Sequence, residues 1–131
     1  MTAPQTMARP VAWPIQTLKA AVVLHVVALL VQAVTAGLLL SSPGGRALHA
    51  ASAMALLVVG LVHLVAAILV WRPGGGPASF IAPAAMLLLF TVVAAILGEM
   101  HVKVVHLPLG VLLFGGGVAQ LFRVMARPGR A

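Results

Sequence analysis

Four apolar stretches follow one another through 131 residues with only short breaks between them. Each is near the roughly 20 residues that cover the hydrocarbon core of a bilayer. The first runs from about Trp13 to Leu40, with Pro14 in the first turn, where a helix tolerates proline. Ser41-Ser42-Pro43-Gly44-Gly45 breaks the chain before a second stretch from about Ala47 to Trp71. Arg72-Pro73-Gly74-Gly75-Gly76-Pro77 precedes the third, about Ala78 to Gly98, and the fourth covers about Val104 to Met125. Linkers this short make neighbouring helices antiparallel. The expected fold is all-α: a single transmembrane domain over residues 1–131, built as an up-down four-helix bundle.

Composition agrees and removes whole classes of function. Hydrophobic residues make up 63% and charged residues 7%, too apolar for one soluble domain to hide from water. Eight Lys+Arg stand against one acid, Glu99, giving a net charge of +7. In a soluble protein that balance points to nucleic acid; here the cations sit at the ends of apolar runs and point to a membrane surface. No nucleic-acid partner is expected. Cysteine is absent, which removes disulfides, thiolate metal sites and iron–sulfur clusters. A single acid leaves no carboxylate pair for general acid–base catalysis.

The first stretch is too long for a signal-peptide core and no cleavage pattern follows it. Counting Lys and Arg orients the bundle. Arg9, Lys19, Arg72, Arg123, Arg127 and Arg130 fall on one side, Arg46 and Lys103 on the other. Both termini are therefore expected in the cytoplasm, in a multi-pass protein of the cytoplasmic (inner) membrane, with Trp13 and Trp71 in the inner interfacial belt.

Five histidines carry what chemistry the sequence offers. Ionisable groups within a membrane are costly and are candidates for function. His49 and His106 lie one turn inside the outer ends of their helices, each preceded three residues earlier by a cation, Arg46 and Lys103. Fourteen residues further on stand His63 and Gln120. Fourteen residues make about 1400°, within about 40° of four full turns, and span about 21 Å. His49 and His63 thus share a face at two depths, with Leu56 and Gly60 between; the matching face of the fourth helix offers His106, Gly110, Leu113, Gly117 and Gln120. Measured from the first loop, His25 falls at the depth of His63. Two layers result: an inner one with His25, His63 and Gln120, and an outer one with His49 and His106, near His101.

Facing imidazoles with cations above them suit a b-type haem, whose iron takes axial histidines and whose propionates would pair with Arg46 and Lys103. On this reading His49 and His106 are the iron ligands and Gly60, Gly110 and Gly117 let the flat ring approach. One haem b is expected, or two if His63 and His25 hold another. The alternatives are a non-haem metal, for which three or four clustered ligands are wanted, and histidines that merely hydrogen-bond between helices.

Ala94-Ala95-Ile96-Leu97-Gly98, followed by Val104-Val105-His106-Leu107-Pro108-Leu109-Gly110, resembles the second hairpin of one half of the haem A synthase family. Gln32 to Gly37 and Leu48-His49 resemble its first hairpin. The resemblance implies a four-helix bundle with ligating histidines on its second and fourth helices, at His49 and His106. That family has eight helices, this chain four, and Arg46 stands where a glutamate is expected, so the resemblance implies haem binding rather than haem A synthesis. The spacing of His49 and His63 also resembles that of the two-haem cytochrome b subunit of quinol-oxidising complexes. The function expected is a membrane b-type cytochrome that transfers electrons, a haem-bound redox carrier rather than a complete enzyme. Its partners would be the bilayer, a quinone or a redox protein, and a second copy in a homodimer. The other classes open are a structural or accessory membrane subunit with packed histidines and no cofactor, and a small-molecule transporter.

Overall fold

The computed structural model describes residues 12–127. Arg9 and Arg130, counted above in the charge balance, lie outside them. Helix α1 spans Trp13–Ser41, α2 Gly45–Trp71, α3 Ile81–Glu99 and α4 Lys103–Met125, with one 3₁₀ turn, Ala78–Phe80, leading into α3. All four segments are long and apolar enough to cross a membrane. The all-α membrane-spanning bundle expected from the apolar pattern is the fold observed. Each helix packs on two neighbours, α1 on α2 and α4, α3 on α2 and α4, which closes a four-sided bundle. The α1–α2 and α3–α4 loops lie at one end, called here the hairpin end; the α2–α3 connection lies at the other, the terminal end.

The last carbonyls of a helix have no intrahelical partner, and each connection supplies partners for some of them locally. At the end of α1 the hydroxyls of Ser41 and Ser42 donate to the carbonyls of Gly37 and Leu38. Gly44 then adopts φ 87°, and a Cβ on Gly45 would collide with the Leu38 carbonyl, so this hairpin is as tight as it is because two glycines make it. Past α2, the amides of Gly74, Gly75 and Gly76 fold back onto the carbonyls of Leu69, Trp71 and Val70. Between α3 and α4, Val102 N–H reaches the Leu97 carbonyl while His101 takes a left-handed φ of 59°.

Two apolar clusters fill the interior. Leu18, Val22, Ala66, Ala67, Val70, Phe80, Ala84 and Val124 pack at the terminal end. Leu29, Leu56, Leu87, Ala94 and Leu113 pack nearer the hairpin end. Outward residues remain apolar: Val104 is 87% exposed, Val111 73% and Phe122 70%. Such a surface is stable facing lipid and not facing water.

Candidate functional site: two histidine layers

His25 on α1 and His63 on α2 are fully buried, and their Nδ1 atoms lie 2.8 Å apart. A bond between two like ring nitrogens fixes the protonation of the pair. In a neutral pair one Nδ1–H donates and the other Nδ1 offers its lone pair, so the accepting ring carries its proton on Nε2. The rings meet edge to face, centroids 5.1 Å apart and planes at 90°. Both Nε2 atoms are buried without a partner, and so is Nε2 of Gln120 on α4. Of the two members that share its layer, His63 therefore turns to His25 on α1 and not across the bundle to Gln120. Gly60 matters to this layer: a Cβ there would sit 3.6 Å from His25 Cε1 and 3.1 Å from Leu88 Cδ1.

The layer at the hairpin end is a network rather than a pair. Around His49 stand Gln32 and Thr35 of α1 and Ser52 of α2. The Gln32 amide lies 3.2 Å from His49 Nε2, and Thr35 Oγ1 lies 3.2 Å from Nδ1. Ser52 donates to the Gln32 side-chain carbonyl and Thr35 to the Gln32 backbone carbonyl. The Gln32 amide nitrogen also lies 3.4 Å from Nδ1, so it sits over the His49 ring and not in line with one lone pair; an Nδ1–H can donate to Thr35. His106, on α4, lies diagonally across from His49, with ring centroids 6.3 Å apart. Its Nδ1–H donates to the Ala94 carbonyl of α3 at 2.8 Å, and its ring rests on Gly98, where a Cβ would come within 3.1 Å.

The Arg46 guanidinium donates to His101 Nε2 at 3.3 Å and so ties the start of α2 to the α3–α4 loop. Lys103 opens α4 and is exposed. Gly117 is buried against Leu29 and Val26 of α1, whereas Gly110 has nothing near its face and is exposed. Gly110 therefore does not line the interior. What sequence reading missed is the Gln32–Thr35–Ser52 cluster. Its signal was present, three polar residues at helical spacing within apolar runs, but attention to ionisable groups passes over them.

These contacts overturn the haem reading, and with it the b-type cytochrome, the electron carrier and the metal-binding assignment. Among the described residues no group of three or more His, Cys, Asp or Glu could hold a metal ion. Two histidines on one iron need their ligating nitrogens about 4 Å apart, twice a metal–imidazole bond of about 2.0 Å, with the ring plane between. His25 and His63 instead bond to each other. His49 and His106 are each engaged by protein groups that hold the bundle together. A cavity lined by Trp71, Arg72, Pro73, Gly75 and Gly76 and another between α3 and α4 both lack a histidine in their lining. No protein-family model, curated protein or solved structure matches the chain, so neither resemblance drawn from the histidine spacing gains support.

Proposed function

We propose that this chain is a structural or accessory integral-membrane subunit, a single four-helix unit whose histidines are interhelical struts. The buried His25–His63 hydrogen bond carries this reading. Lipid supplies no hydrophobic drive for helix association, so polar side chains bonded across helices contribute to it, about 0.6 kcal/mol on average and up to about 2. Between the two layers the interior is closed by Leu29, Leu56 and Leu113. That apolar plug favours a scaffold over a transporter, because among the described residues no side-chain hydrogen bonds link the layers, and the buried Thr91 bonds back to Leu87 of its own helix.

Orientation follows from charge. Lys19, Arg72, Arg123 and Arg127 gather at the terminal end and Arg46 and Lys103 at the hairpin end, an asymmetry that supports a cytoplasmic terminal end in an inner membrane. Trp13 and Trp71 stand at that interface, Arg72 lying 5.2 Å over the Trp71 ring.

A double-mutant cycle tests the strut. His25→Ala, His63→Ala and the pair, purified in mild detergent, should show a coupling of about 0.6–2 kcal/mol in thermal unfolding. Additive effects, or a bound chromophore lost in either variant, would refute it. Since the chain has no cysteine, a single cysteine at Ser42 or Ser79 reports the side: an impermeant thiol reagent applied from outside should label the first and not the second. An accessory role further requires that the chain leave mildly solubilised native membranes in an assembly larger than itself.

A further inference from the structure

The groove between α3 and α4, of about 460 Å³, has one polar end and is otherwise apolar. Leu87, Phe90, Leu109, Leu113 and Gly116 form its floor and walls, and Gln120 and Arg123 stand where it meets the terminal end. Gln120 is 97% buried (3% exposed) and its amide nitrogen has no partner. An orphaned donor in a low-dielectric setting costs about 1–3 kcal/mol, and a rotation of the amide would turn that donor into the groove. Arg123 is exposed in the last turn of α4. Arg72 and Arg127, at the same end of the bundle, lie over the rings of Trp71 and Phe80; Arg123 stacks on no ring among the described residues. No side-chain carboxylate can reach it, because Glu99, the one acid in the sequence, ends α3 at the opposite end of the bundle.

Position adds a second argument. From Arg123 to Leu109 is fourteen residues, about 21 Å along α4, longer than the roughly 15 Å of hydrocarbon in one leaflet. Gln120 lies about 4.5 Å deeper than Arg123, the order in which a phospholipid presents its phosphate and then its ester carbonyls.

We propose that this groove binds one anionic phospholipid of the terminal-end leaflet, its phosphate on Arg123, an ester carbonyl on the Gln120 amide, and one acyl chain laid over Gly116 and Leu113 toward Leu109. The charge of the site selects an anionic lipid over a zwitterionic one, since no side-chain carboxylate among the described residues lies near the arginine. The groove exists because Gly116 has no side chain; Leu87 Cδ2 already lies 3.3 Å from where its Cβ would be.

Native mass spectrometry of the full chain in mild detergent, titrated with phosphatidylglycerol or phosphatidylcholine, tests the site. One phosphatidylglycerol should be retained per chain, and phosphatidylcholine should bind about tenfold more weakly. Arg123→Gln should weaken phosphatidylglycerol by about tenfold, the worth of a charge-assisted bond, and Gln120→Leu by a few-fold. Ala119→Phe, placed on the groove wall, should abolish the retained copy, while Arg72→Gln should leave it unchanged. Equal binding of the two lipids, or equal losses from Arg72→Gln and Arg123→Gln, would show diffuse charge attraction and overturn the site. So would inorganic phosphate alone raising the thermal midpoint as much as the lipid does. Should Ala119→Phe fail to fold, the exposed Arg123→Gln still decides.

Discussion

Between α1 and α2, side-chain hydrogen bonds run from mid-span to the hairpin: His25 to His63, then Gln32, Thr35, His49 and Ser52 bound together. Between α3 and α4 the single such bond among the described residues runs from the His106 ring to a backbone carbonyl. The second hairpin packs instead through small residues, Ala84, Ala94, Gly98 and Gly116, and leaves a groove open to lipid. The two pairs thus solve the same problem by different means. Polar bonds fix one register and exclude slippage, since any shift strands a donor in hydrocarbon. Small-residue packing gains only dispersion, tolerates adjustment, and admits a third body such as an acyl chain.

The sharpest way to break this contrast is to remove one histidine from each hairpin. His63→Ala removes the strut, leaves His25 with no partner on either nitrogen and opens a cavity between the apolar clusters. About 2–4 kcal/mol of stability should go. His106→Ala loses one neutral hydrogen bond at a half-buried site and should cost about 0.5–1.5 kcal/mol. Thermal or denaturant unfolding in one detergent compares them; equal losses would mean that the first hairpin is not the stiffer.

Next in size is the contact between the hairpins. Gly117 lies so close to α1 that a Cβ would come within 2.8 Å of Leu29 Cδ1. Gly117→Leu should therefore push α4 from α1 at about 1–3 kcal/mol, and raise the proteolytic sensitivity of the second hairpin before that of the first. Loosening of both hairpins together would show that they do not behave as separate units.

The hydroxyl and amide cluster comes third. Thr35→Val deletes the acceptor for His49 Nδ1–H while keeping the shape of the side chain. The expected loss is about 1 kcal/mol, and amide exchange should quicken in the hairpin-end turns of α1 and α2 and not in α3. A uniform change across the four helices would assign Thr35 to general packing.

The four-helix membrane bundle was legible in the sequence, because apolar length and Gly/Pro punctuation are one-dimensional signals. The common depth of His25 and His63 was legible as well, from residue counts on either side of one loop. Which way a ring nitrogen points was not. Fourteen-residue spacing puts His49 and His63 on one face of α2, and an axial pair and a direct hydrogen bond then differ by about an ångström of interhelical approach. That approach is set by the packing around the pair, where Gly60 adjoins both His25 and Leu88, and no spacing rule contains it. Gly110 misled for a related reason: at about 100° per residue it lies about 40° round α4 from His106, at the edge of the stripe that buries Leu113, Gly117 and Gln120, turned outward where no neighbouring atom reaches it.

That outward turn gives the smallest and most diagnostic test. Glycine in a helix interior costs about 0.5–1 kcal/mol relative to alanine through the backbone freedom it loses on folding. Where nothing adjoins the missing Cβ, alanine should recover that amount. Gly110 and Gly115 on α4 are such positions, with no atom within 4 Å of an added Cβ. Gly60 on α2 is the opposite case, 3.1 Å from Leu88 and beside the buried histidine. Gly110→Ala and Gly115→Ala should each raise the unfolding free energy by about 0.5 kcal/mol, whereas Gly60→Ala should lose through crowding what it gains in propensity. If α4 gains nothing from alanine, its two open glycines are covered in the membrane by lipid or by another helix that resents a methyl group, and the second hairpin is then less bare than its own chain leaves it.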